Sequence, residues 1–243
     1  MKLIGLMTTY EDMDWIHEAL VSMKELDGGI VCEGAYQETI ALGKPPRSQD
    51  GTHDTCKEWC DDEKFLFLEA NEKSDVQQRN LVLQAIKDKW GTDDVVVMII
   101  DGDEEYGVEQ LKKLKEWAEW FCSQGKFLGG LVWSKVYVDN ETWTLHAFPR
   151  LFRLTPDCRF VDSNLMYWPE KNFTITKSDK EEGRCKLLPV SLATRHHSYQ
   201  RHKERFGWKR DGRIARRGDF SWEWSEELDR PARDNVIFYK DKS

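Results

Sequence analysis

Long apolar runs are missing from this 243-residue sequence, and their absence excludes a transmembrane segment. The longest uninterrupted aliphatic run covers residues 95–100, whereas a helix that crosses a bilayer needs about 20 apolar residues. Residues 1–7 are followed at once by the polar residues Thr8 and Thr9, so the sequence lacks the apolar stretch and the small-residue cleavage site of a secretory signal. We therefore expect a cytoplasmic protein.

An excess of positive charge is missing too. The chain has 36 Lys and Arg against 44 Asp and Glu, which gives a net charge of −8 and a sequence pI near 5.4. This balance excludes a generally basic coat for nucleic acid. Hydrophobic residues make up 40% of the chain, which is enough to fill a substantial core, so a disordered chain is excluded as well.

Closely spaced cysteines are scarce. Of the six cysteines only Cys56 and Cys60 are near each other, and no second pair of Cys or His stands at the spacing of a zinc finger. Four residues separate the two thiols, which favours one face of a helix over a pair of ligands. We expect the cysteines to be buried hydrophobic residues and free thiols.

Short apolar runs alternate with amphipathic segments through the first half of the chain, a pattern typical of strands that cross over through helices into a parallel sheet. The predicted strands are residues 3–7, 29–33, 64–70 and the central 94–100; the predicted helices are residues 11–26, 75–90, with Ser74 as capping residue, and 107–122. Residues 34–52 are rich in Gly, Pro, Ser and Gln and predict a long functional loop without regular structure.

The second half changes character. Residues 126–138, 142–154 and 187–194 predict strands in a more antiparallel region, residues 199–208 a short basic helix, and residues 236–240 a final strand. We expect one domain over residues 1–243, with a nucleotide-sugar-binding half in residues 1–105 and an acceptor-binding half in residues 106–243.

An acidic stretch follows the central strand directly: Asp101-Gly102-Asp103-Glu104. Two carboxylates therefore project from the carboxyl end of a buried parallel strand, the edge at which open α/β sheets bind ligands. A simple hairpin turn is the alternative, but a hairpin needs a partner strand next, and here a helix is predicted. Hard oxygen ligands on a short loop suit Mg²⁺ or Mn²⁺, which share phosphate oxygens with a substrate. The stretch predicts a metal–diphosphate clamp.

At this point the sequence resembles the family two glycosyltransferases, inverting enzymes of the Rossmann-like GT-A fold that use a sugar nucleotide. Four stretches match the family's motifs in order: Thr8-Thr9-Tyr10-Glu11, Ser48-Gln49-Asp50-Gly51-Thr52, Gln77-Gln78-Arg79-Asn80 and Asp101-Gly102-Asp103-Glu104. Two later stretches, Pro149-Arg150-Leu151-Phe152-Arg153 and His196-His197-Ser198-Tyr199, are similar to the branch with lipopolysaccharide-core glucosyltransferases and related peptide glycosyltransferases. The fold that this implies is a mixed, mainly parallel central sheet flanked by helices, with a smaller antiparallel acceptor-side region.

The resemblance implies roles for individual residues. Glu33 stands where the family has an Asp that accepts a hydrogen bond from the nucleotide base. The other donor-binding residues that it implies are Thr8, Tyr10, Asp50, Arg79, which would contact phosphate, and Asp101. Asp103 and Asp101 would hold the metal, Mn²⁺ or Mg²⁺, with His197 or His196 as a late ligand. The alternative for the two histidines is an exposed pair before a helix.

The implied reaction is a single displacement at the anomeric carbon of a nucleoside-diphosphate sugar such as a UDP-sugar. A carboxylate takes the proton of the acceptor hydroxyl, and the metal neutralises charge on the departing diphosphate. Relatives carry a His-Glu pair shortly after Arg-Leu-Phe-Arg, which this chain lacks. Asp162 is the preferred base and Asp157 the reserve.

Further departures leave alternatives open. Glu33 and Ser48 are nearly contiguous in the family but are separated here by a segment with Tyr36, Lys44 and Arg47, which is either a lid over the donor or a surface insertion without a role. Residues 195–217 carry nine Lys or Arg; they are either a solvated face or a site for an anionic partner. Trp133, Trp143 and Trp168 lie in the acceptor half, where a ring can stack on a sugar.

Three functions follow. The leading one is a metal-dependent inverting glycosyltransferase, with a nucleotide-sugar donor and an acceptor that is a glycan, a lipid-linked glycan or another anionic molecule. A nucleotidyltransferase can place a similar acidic pair beside a triphosphate. A non-catalytic carbohydrate- or nucleic-acid-binding module is the third, although nucleic acid is not the favoured partner.

Overall fold

The computed structural model describes residues 1–123, 129–137, 141–162, 165–167, 185–189, 191, 193–197, 223–225, 230–232 and 239–240. The helices are α1 (Ile16–Met23), α2 (Gln37–Ala41), α3 (Thr52–Trp59), α4 (Asp75–Trp90) and α5 (Val108–Ser123). The strands are β1 (Lys2–Thr9), β2 (Gly28–Glu33), β3 (Phe65–Glu69), β4 (Val95–Asp101), β5 (Glu104–Glu105), β6 (Gly129–Tyr137), β7 (Thr142–Arg153), β8 (Arg159–Asp162), β9 (Leu165–Tyr167), β10 (Cys185–Leu187), β11 (Thr194–His196), β12 (Glu223–Ser225), β13 (Arg230–Ala232) and β14 (Tyr239–Lys240).

One mixed sheet organises the molecule, with the strand order β3-β2-β1-β4-β7-β6-β11-β5. The first four strands in that order are mutually parallel. Residues of β1 and β4 are buried on both faces, as their unbroken apolar runs predict. One hydrophobic cluster packs α1 and α5 against the sheet, and a second one includes α4. The expected fold class, a Rossmann-like mixed α/β fold of the GT-A kind with a mainly parallel sheet flanked by helices, is confirmed.

The helix that the capping pattern predicts is also confirmed. The Ser74 side chain accepts a hydrogen bond from the Gln77 amide at 3.4 Å, and α4 runs from Asp75 to Trp90. Gly91 ends it with φ of 72°, a backbone conformation that favours glycine. The local capping pattern was sufficient to predict where this helix begins.

Two elements of the first half differ from expectation. The helix predicted from residue 11 begins only at Ile16, because Asp12 Oδ2 accepts hydrogen bonds from Thr9 Oγ1 at 2.8 Å and from the Tyr10 amide at 3.2 Å and so holds a turn after β1. The long segment 34–52, predicted to have no regular structure, contains the short helix α2 (Gln37–Ala41).

The second half joins the sheet mainly through antiparallel pairs. Strand β7 runs antiparallel to both β4 and β6, while β11 runs parallel to β6 and antiparallel to β5. The single strand predicted over residues 187–194 is wrong: β10 ends at Leu187 and β11 begins at Thr194. Pro189, which cannot donate a ladder hydrogen bond, lies between them.

The basic helix predicted over residues 199–208 lies outside the described residues, as do Trp168 and residues 236–238 of the predicted last strand; Tyr239 and Lys240 form β14. Among the helices that the structure describes, none combines the length and the apolar composition that crossing a membrane requires.

Candidate functional site

Three of the predicted donor residues, Thr8, Glu33 and Asp101, lie at the carboxyl edge of the parallel strands. Thr8 of β1 pairs in register with Asp101 of β4, and the next residue, Thr9, pairs with Glu33 of β2. Three strand ends thus bring a hydroxyl, a carboxylate of the acidic stretch and a buried glutamate to one edge of the sheet. Thr8 and Asp101 share a face there, and Glu33, paired with the next residue of β1, points to the opposite face. This is the edge at which open α/β sheets bind ligands.

The chain turns sharply after β4. Asp101-Gly102-Asp103-Glu104, called the acidic turn below, links β4 to β5, and Asp103 and Glu104 are buried. A Cβ at Gly102 would collide with Thr9 Oγ1 and Asp12 Oδ2, which are hydrogen-bonded to each other. Glycine is therefore needed for the turn to pack against the end of β1.

Two buried arginines neutralise most of the acidic turn. Arg79 Nη2 donates to Asp101 Oδ1 at 2.7 Å, and Arg150 Nη2 donates to Asp101 Oδ2 at 2.9 Å. Arg150 also donates to Glu104 Oε1, from Nη2 at 2.6 Å and from Nε at 3.1 Å. Although burial opposes ionisation of Asp101, Arg150 and Arg79 lower its pKa to about 2. Burial disfavours the charge of Arg150 in turn, but Glu104 and Asp101 raise its pKa.

The two histidines take different positions. His196 Nε2 lies 3.2 Å from Asp103 Oδ1, and His196 Nδ1 lies 3.9 Å from Glu104 Oε1. Burial works against protonation of His196, but Asp103 raises its pKa above the usual value. Successive residues of a strand point to opposite faces, and the His197 ring stacks on Trp15 with centroids 3.9 Å apart instead. Neither histidine is exposed, so the alternative of an exposed pair is wrong.

These groups fit a divalent metal ion. One ligand atom each from Asp101, Glu104 and His196 lies within 4.8 Å of the other two, and Asp103 contacts the same imidazole. Three carboxylates against two guanidinium groups leave a formal negative charge when His196 is neutral. Carboxylate oxygen and imidazole nitrogen are ligands that Mn²⁺ accepts, and Mg²⁺ takes the carboxylates. The buried acidic and histidine group can hold a metal ion.

Of the predicted metal ligands, Asp101, Asp103 and His196 come together, whereas His197 lies in the aromatic stack with Trp15. Glu104 and Arg150 were not predicted as site residues. Both stood in stretches that the resemblance had singled out, the acidic stretch and Pro149-Arg150-Leu151-Phe152-Arg153. What the sequence did not reveal was that β7 would pair with β4 and bring Arg150 to the acidic turn.

A second polar cluster surrounds Glu33. Its Oε1 accepts hydrogen bonds from the Ser48 amide at 2.9 Å and from Ser48 Oγ at 2.6 Å, while Oε2 is buried without a partner among the residues that the structure describes. Burial raises the pKa of Glu33, against the effect of these hydrogen bonds. The free oxygen suits a ligand group that donates a hydrogen bond.

The other predicted donor residues have structural partners as well. The Tyr10 hydroxyl donates to the Pro45 carbonyl at 2.8 Å. Asp50 is exposed, and its carboxylate accepts from the Met13 amide and from the Thr52 amide, the first residue of α3. Arg79 contacts Asp101 through Nη2, and within the described part of the chain its buried Nε and Nη1 have no hydrogen-bond partner.

The two base candidates flank the start of β8 differently: Asp157 precedes the strand, and Asp162 ends it. Leu154 donates its amide to the Val95 carbonyl at the start of β4, so the exposed turn at Asp157 lies near the opposite edge from Asp101. Strand β4 has seven residues, so its two ends lie about 20 Å apart. Strand β8 then contacts α4: Asn80 Nδ2 donates to the Phe160 carbonyl, and the Phe160 amide donates to Asn80 Oδ1. Asp162 ends β8, and its side chain lies outside the described part of the chain.

Comparisons with known proteins give a distant structural likeness. No model of a known protein family and no curated protein matches the chain. Crystal structures of S. aureus TarS 1–349, one of them in complex with UDP, are 19% identical with a TM-score of 0.40, over 56% of this chain and 36% of that one. A structure of S. aureus TarS gives a TM-score of 0.39, and this chain covers 22% of it. Likeness of this size does not transfer a function.

Proposed function

We propose that this chain is a metal-dependent inverting glycosyltransferase that moves a sugar from a nucleoside-diphosphate donor, a UDP-sugar, to an acceptor hydroxyl. The observation that carries the proposal is the acidic turn with His196, at the carboxyl edge of the sheet and one strand away from the Glu33 pocket. The turn supplies ligands for a metal that bridges a diphosphate, and Glu33 supplies an acceptor for a base. A nucleotide spans such a pair of sites.

The residues would divide the reaction as follows. Asp101, Asp103, Glu104 and His196 would hold the metal ion, which neutralises charge on the departing diphosphate. Arg150 fixes the carboxylates of Asp101 and Glu104, so little reorganisation is needed as charge develops. Asp162 would accept the proton of the acceptor hydroxyl.

Placement supports Asp162 over the reserve. Strand β8 begins at Arg159, two residues after Asp157, and its Phe160 contacts Asn80, the neighbour of Arg79. The Arg79 guanidinium also lies 5.9 Å from the centroid of the Phe160 ring. Asp162 follows Phe160 by two residues at the end of β8, whereas Asp157 lies before the strand in an exposed turn.

The test is release of nucleoside diphosphate from a panel of nucleotide sugars, with Mn²⁺ or Mg²⁺ and a panel of hydroxyl acceptors. We expect UDP release that stops when EDTA removes the metal. Pyrophosphate release from a nucleoside triphosphate would instead identify a nucleotidyltransferase, and nucleotide-sugar binding without turnover a binding module.

Three substitutions sharpen this test. Asp103→Asn is expected to lower metal-assisted UDP binding at least about tenfold, because a ligand carboxylate is lost. Asp162→Asn should leave UDP binding intact and lower turnover by about 10²-fold or more, the usual contribution of a general base. Asp157→Asn is the matched control and should transfer sugar at the normal rate. Full transfer by Asp162→Asn would remove Asp162 from the mechanism.

A further inference from the structure

A tryptophan from the first half of the chain packs against the residue that follows β11. The Trp15 ring stacks on the His197 ring with centroids 3.9 Å apart and an angle of 4° between the ring planes. The Tyr137 ring, at the end of β6, lies 5.5 Å from the same imidazole at an angle of 20°. His197 is buried. Its imidazole thus has two nearly parallel aromatic neighbours, one from each half of the chain.

The backbone that carries Trp15 is held in place before α1 begins. The amides of Trp15 and Ile16 both donate to the Asp12 carbonyl, each at 2.8 Å. Asp12 is buried, and its amide donates to Thr52 Oγ1 at 2.8 Å while its carboxylate accepts from Thr9 Oγ1 at 2.8 Å. The turn with Trp15 is therefore attached to the end of β1 and to the start of α3, and the indole has a fixed base.

The residue on which Trp15 stacks also holds the acidic turn. The His197 amide donates to the Asp103 carbonyl at 2.9 Å, directly after the register pair of His196 with Glu104. The Asp103 carboxylate lies 3.2 Å from His196 Nε2. His197 therefore fixes the backbone of one proposed metal ligand, Asp103, and is the chain neighbour of another, His196.

The imidazole of His197 lies beside a different carboxylate from those of the metal group. Its Nε2 lies 3.8 Å from Glu105 Oε2, and neither of these residues belongs to the group of Asp101, Glu104 and His196. Side chains alternate along a strand, which turns the His197 ring away from the side of His196. His197 thus serves the site through its amide and its stacked ring, and it supplies no ligand atom.

We propose, on the basis of the metal site in the proposed function, that Trp15 is a positioning residue for the metal ion. Its stack on His197 keeps the end of β11 against the acidic turn, with Asp103 and His196 in the arrangement that binds the ion. Aromatic pairs contribute stability beyond the area that they bury. Groups that orient metal ligands change metal affinity when they are removed, although they do not touch the ion.

The experiment measures binding of Mn²⁺ alone by calorimetry at pH 7. Trp15→Ala should weaken Mn²⁺ binding about tenfold or more, because the stack is lost. Trp15→Phe keeps a ring that can stack and should stay within about threefold of the wild type. The fitted stoichiometry reports the folded fraction, so the dissociation constant remains informative for a partly unfolded variant.

Trp59→Ala is the matched control. Trp59 is half-buried like Trp15, and its ring packs on Phe65 with centroids 4.5 Å apart, at the start of β3 and so at the opposite edge of the sheet. This variant should lose stability in urea denaturation and keep its Mn²⁺ affinity. An unchanged Mn²⁺ affinity in Trp15→Ala, or equal losses of affinity in Trp15→Ala and Trp59→Ala, overturns the role of Trp15 and leaves the proposed function standing.

Two variants of His197 test the route. His197→Phe keeps the ring and the amide and should retain Mn²⁺ affinity within about threefold, whereas His197→Ala should lose about tenfold. Equal losses in both would show that the imidazole itself binds the ion and would overturn the route through Asp103 and His196. A wild-type chain that binds Mn²⁺ but no UDP leaves the role of Trp15 standing and overturns the proposed function. One that binds no Mn²⁺ overturns both.

Discussion

The two halves of the chain contribute to the acidic turn in different ways. In the first half, the neighbouring parallel strands β1, β2 and β4 end beside the acidic turn, and simple crossover connections join them. The second half supplies Arg150 and His196 from β7 and β11, which pair with β4 and β5 from far along the chain. The first half builds the edge and supplies Arg79, and the second half supplies the other groups that neutralise its charge, Arg150 and His196.

This difference has an energetic side. The Glu104 carboxylate is buried and that of Asp101 is largely so. Taking such a charge out of water costs several kcal/mol unless it is paired. Arg150 pairs with both of them and is itself buried. The second half is therefore needed for the stability of the edge as well as for its chemistry.

The largest expected effect comes from removing the guanidinium group of Arg150, which joins β7 to the acidic turn. Arg150→Met keeps the bulk of the side chain but leaves the buried Glu104 without its guanidinium partner and Asp101 with Arg79 alone. We expect the free energy of unfolding to fall by about 3–5 kcal/mol, measured by urea denaturation at pH 7. Arg195→Ala is the control from β11, which is separated from β7 by β6.

Arg195 Nη1 lies 3.8 Å from Glu105 Oε2, and its side chain is 51% exposed, so its loss should cost about 0.5 kcal/mol or less. If Arg150→Met and Arg195→Ala destabilised the protein equally, the two halves would not be joined through the acidic turn in the way described.

The second effect concerns the first half alone. Gly34→Ala forces a Cβ into a backbone region that only glycine readily adopts and against the Ala70 carbonyl oxygen. A loss of about 3 kcal/mol in unfolding free energy is expected. Gly43→Ala is a matched control in the loop that follows Gly34, because φ is also positive there, at 82°, but no atom of the described residues lies within 4 Å of the added Cβ.

Gly43→Ala should cost about 1 kcal/mol, the usual price of a left-handed residue with a side chain. The difference between the two glycines measures the close approach to Ala70. Equal losses would mean that Gly34 matters only for its backbone conformation. The close approach to Ala70 would then not determine the path of residues 35–47.

The same contrast between halves explains what the sequence could predict. Helix α4, the apolar strand β4 and the acidic stretch depend on residues next to one another, and each was predicted with nearly correct bounds. The roles of Arg150 and Glu104 depend on which strands pair, and loop closure over about 50 residues leaves no local pattern. The separation of His196 from His197 needed only strand alternation, but the strand itself, β11, was placed wrongly.

A third, smaller effect tests a purely local signal. Ser74→Ala removes the side chain that accepts from the Gln77 amide at the start of α4. The expected loss is about 1 kcal/mol, seen as a lower midpoint of thermal unfolding. Ser74→Asp should restore the stability, since an aspartate caps equally well and suits the positive end of the helix dipole. A stable Ser74→Ala variant would show that packing alone, without the cap, starts this helix.

The smallest effects separate two carboxylates of the first half by the sign of their pH dependence. The pKa of Glu33 is raised by burial, so the folded state favours its protonated form and loses stability as the pH rises through the folded pKa. Asp27 is the opposite case: burial opposes its ionisation, but the Leu3 amide, at 2.8 Å, and Lys115, at 2.7 Å, lower its pKa. Its contribution is present above the unfolded pKa of about 3.9 and is lost as the pH falls through the folded value.

Urea denaturation of Glu33→Gln and Asp27→Asn across pH 3 to 7 checks both signs. Relative to the wild type, Glu33→Gln should gain stability as the pH rises, because the wild type then carries a buried charge that the amide lacks. Asp27→Asn should lose relative stability over the same rise, because the wild-type carboxylate then ionises and gains its pairing with Lys115. Slopes of the same sign would contradict this, since they would place both carboxylates in one kind of environment, whereas the Glu33 pocket is built to hold a neutral or ligand-paired acid and the Asp27 site an ionised one.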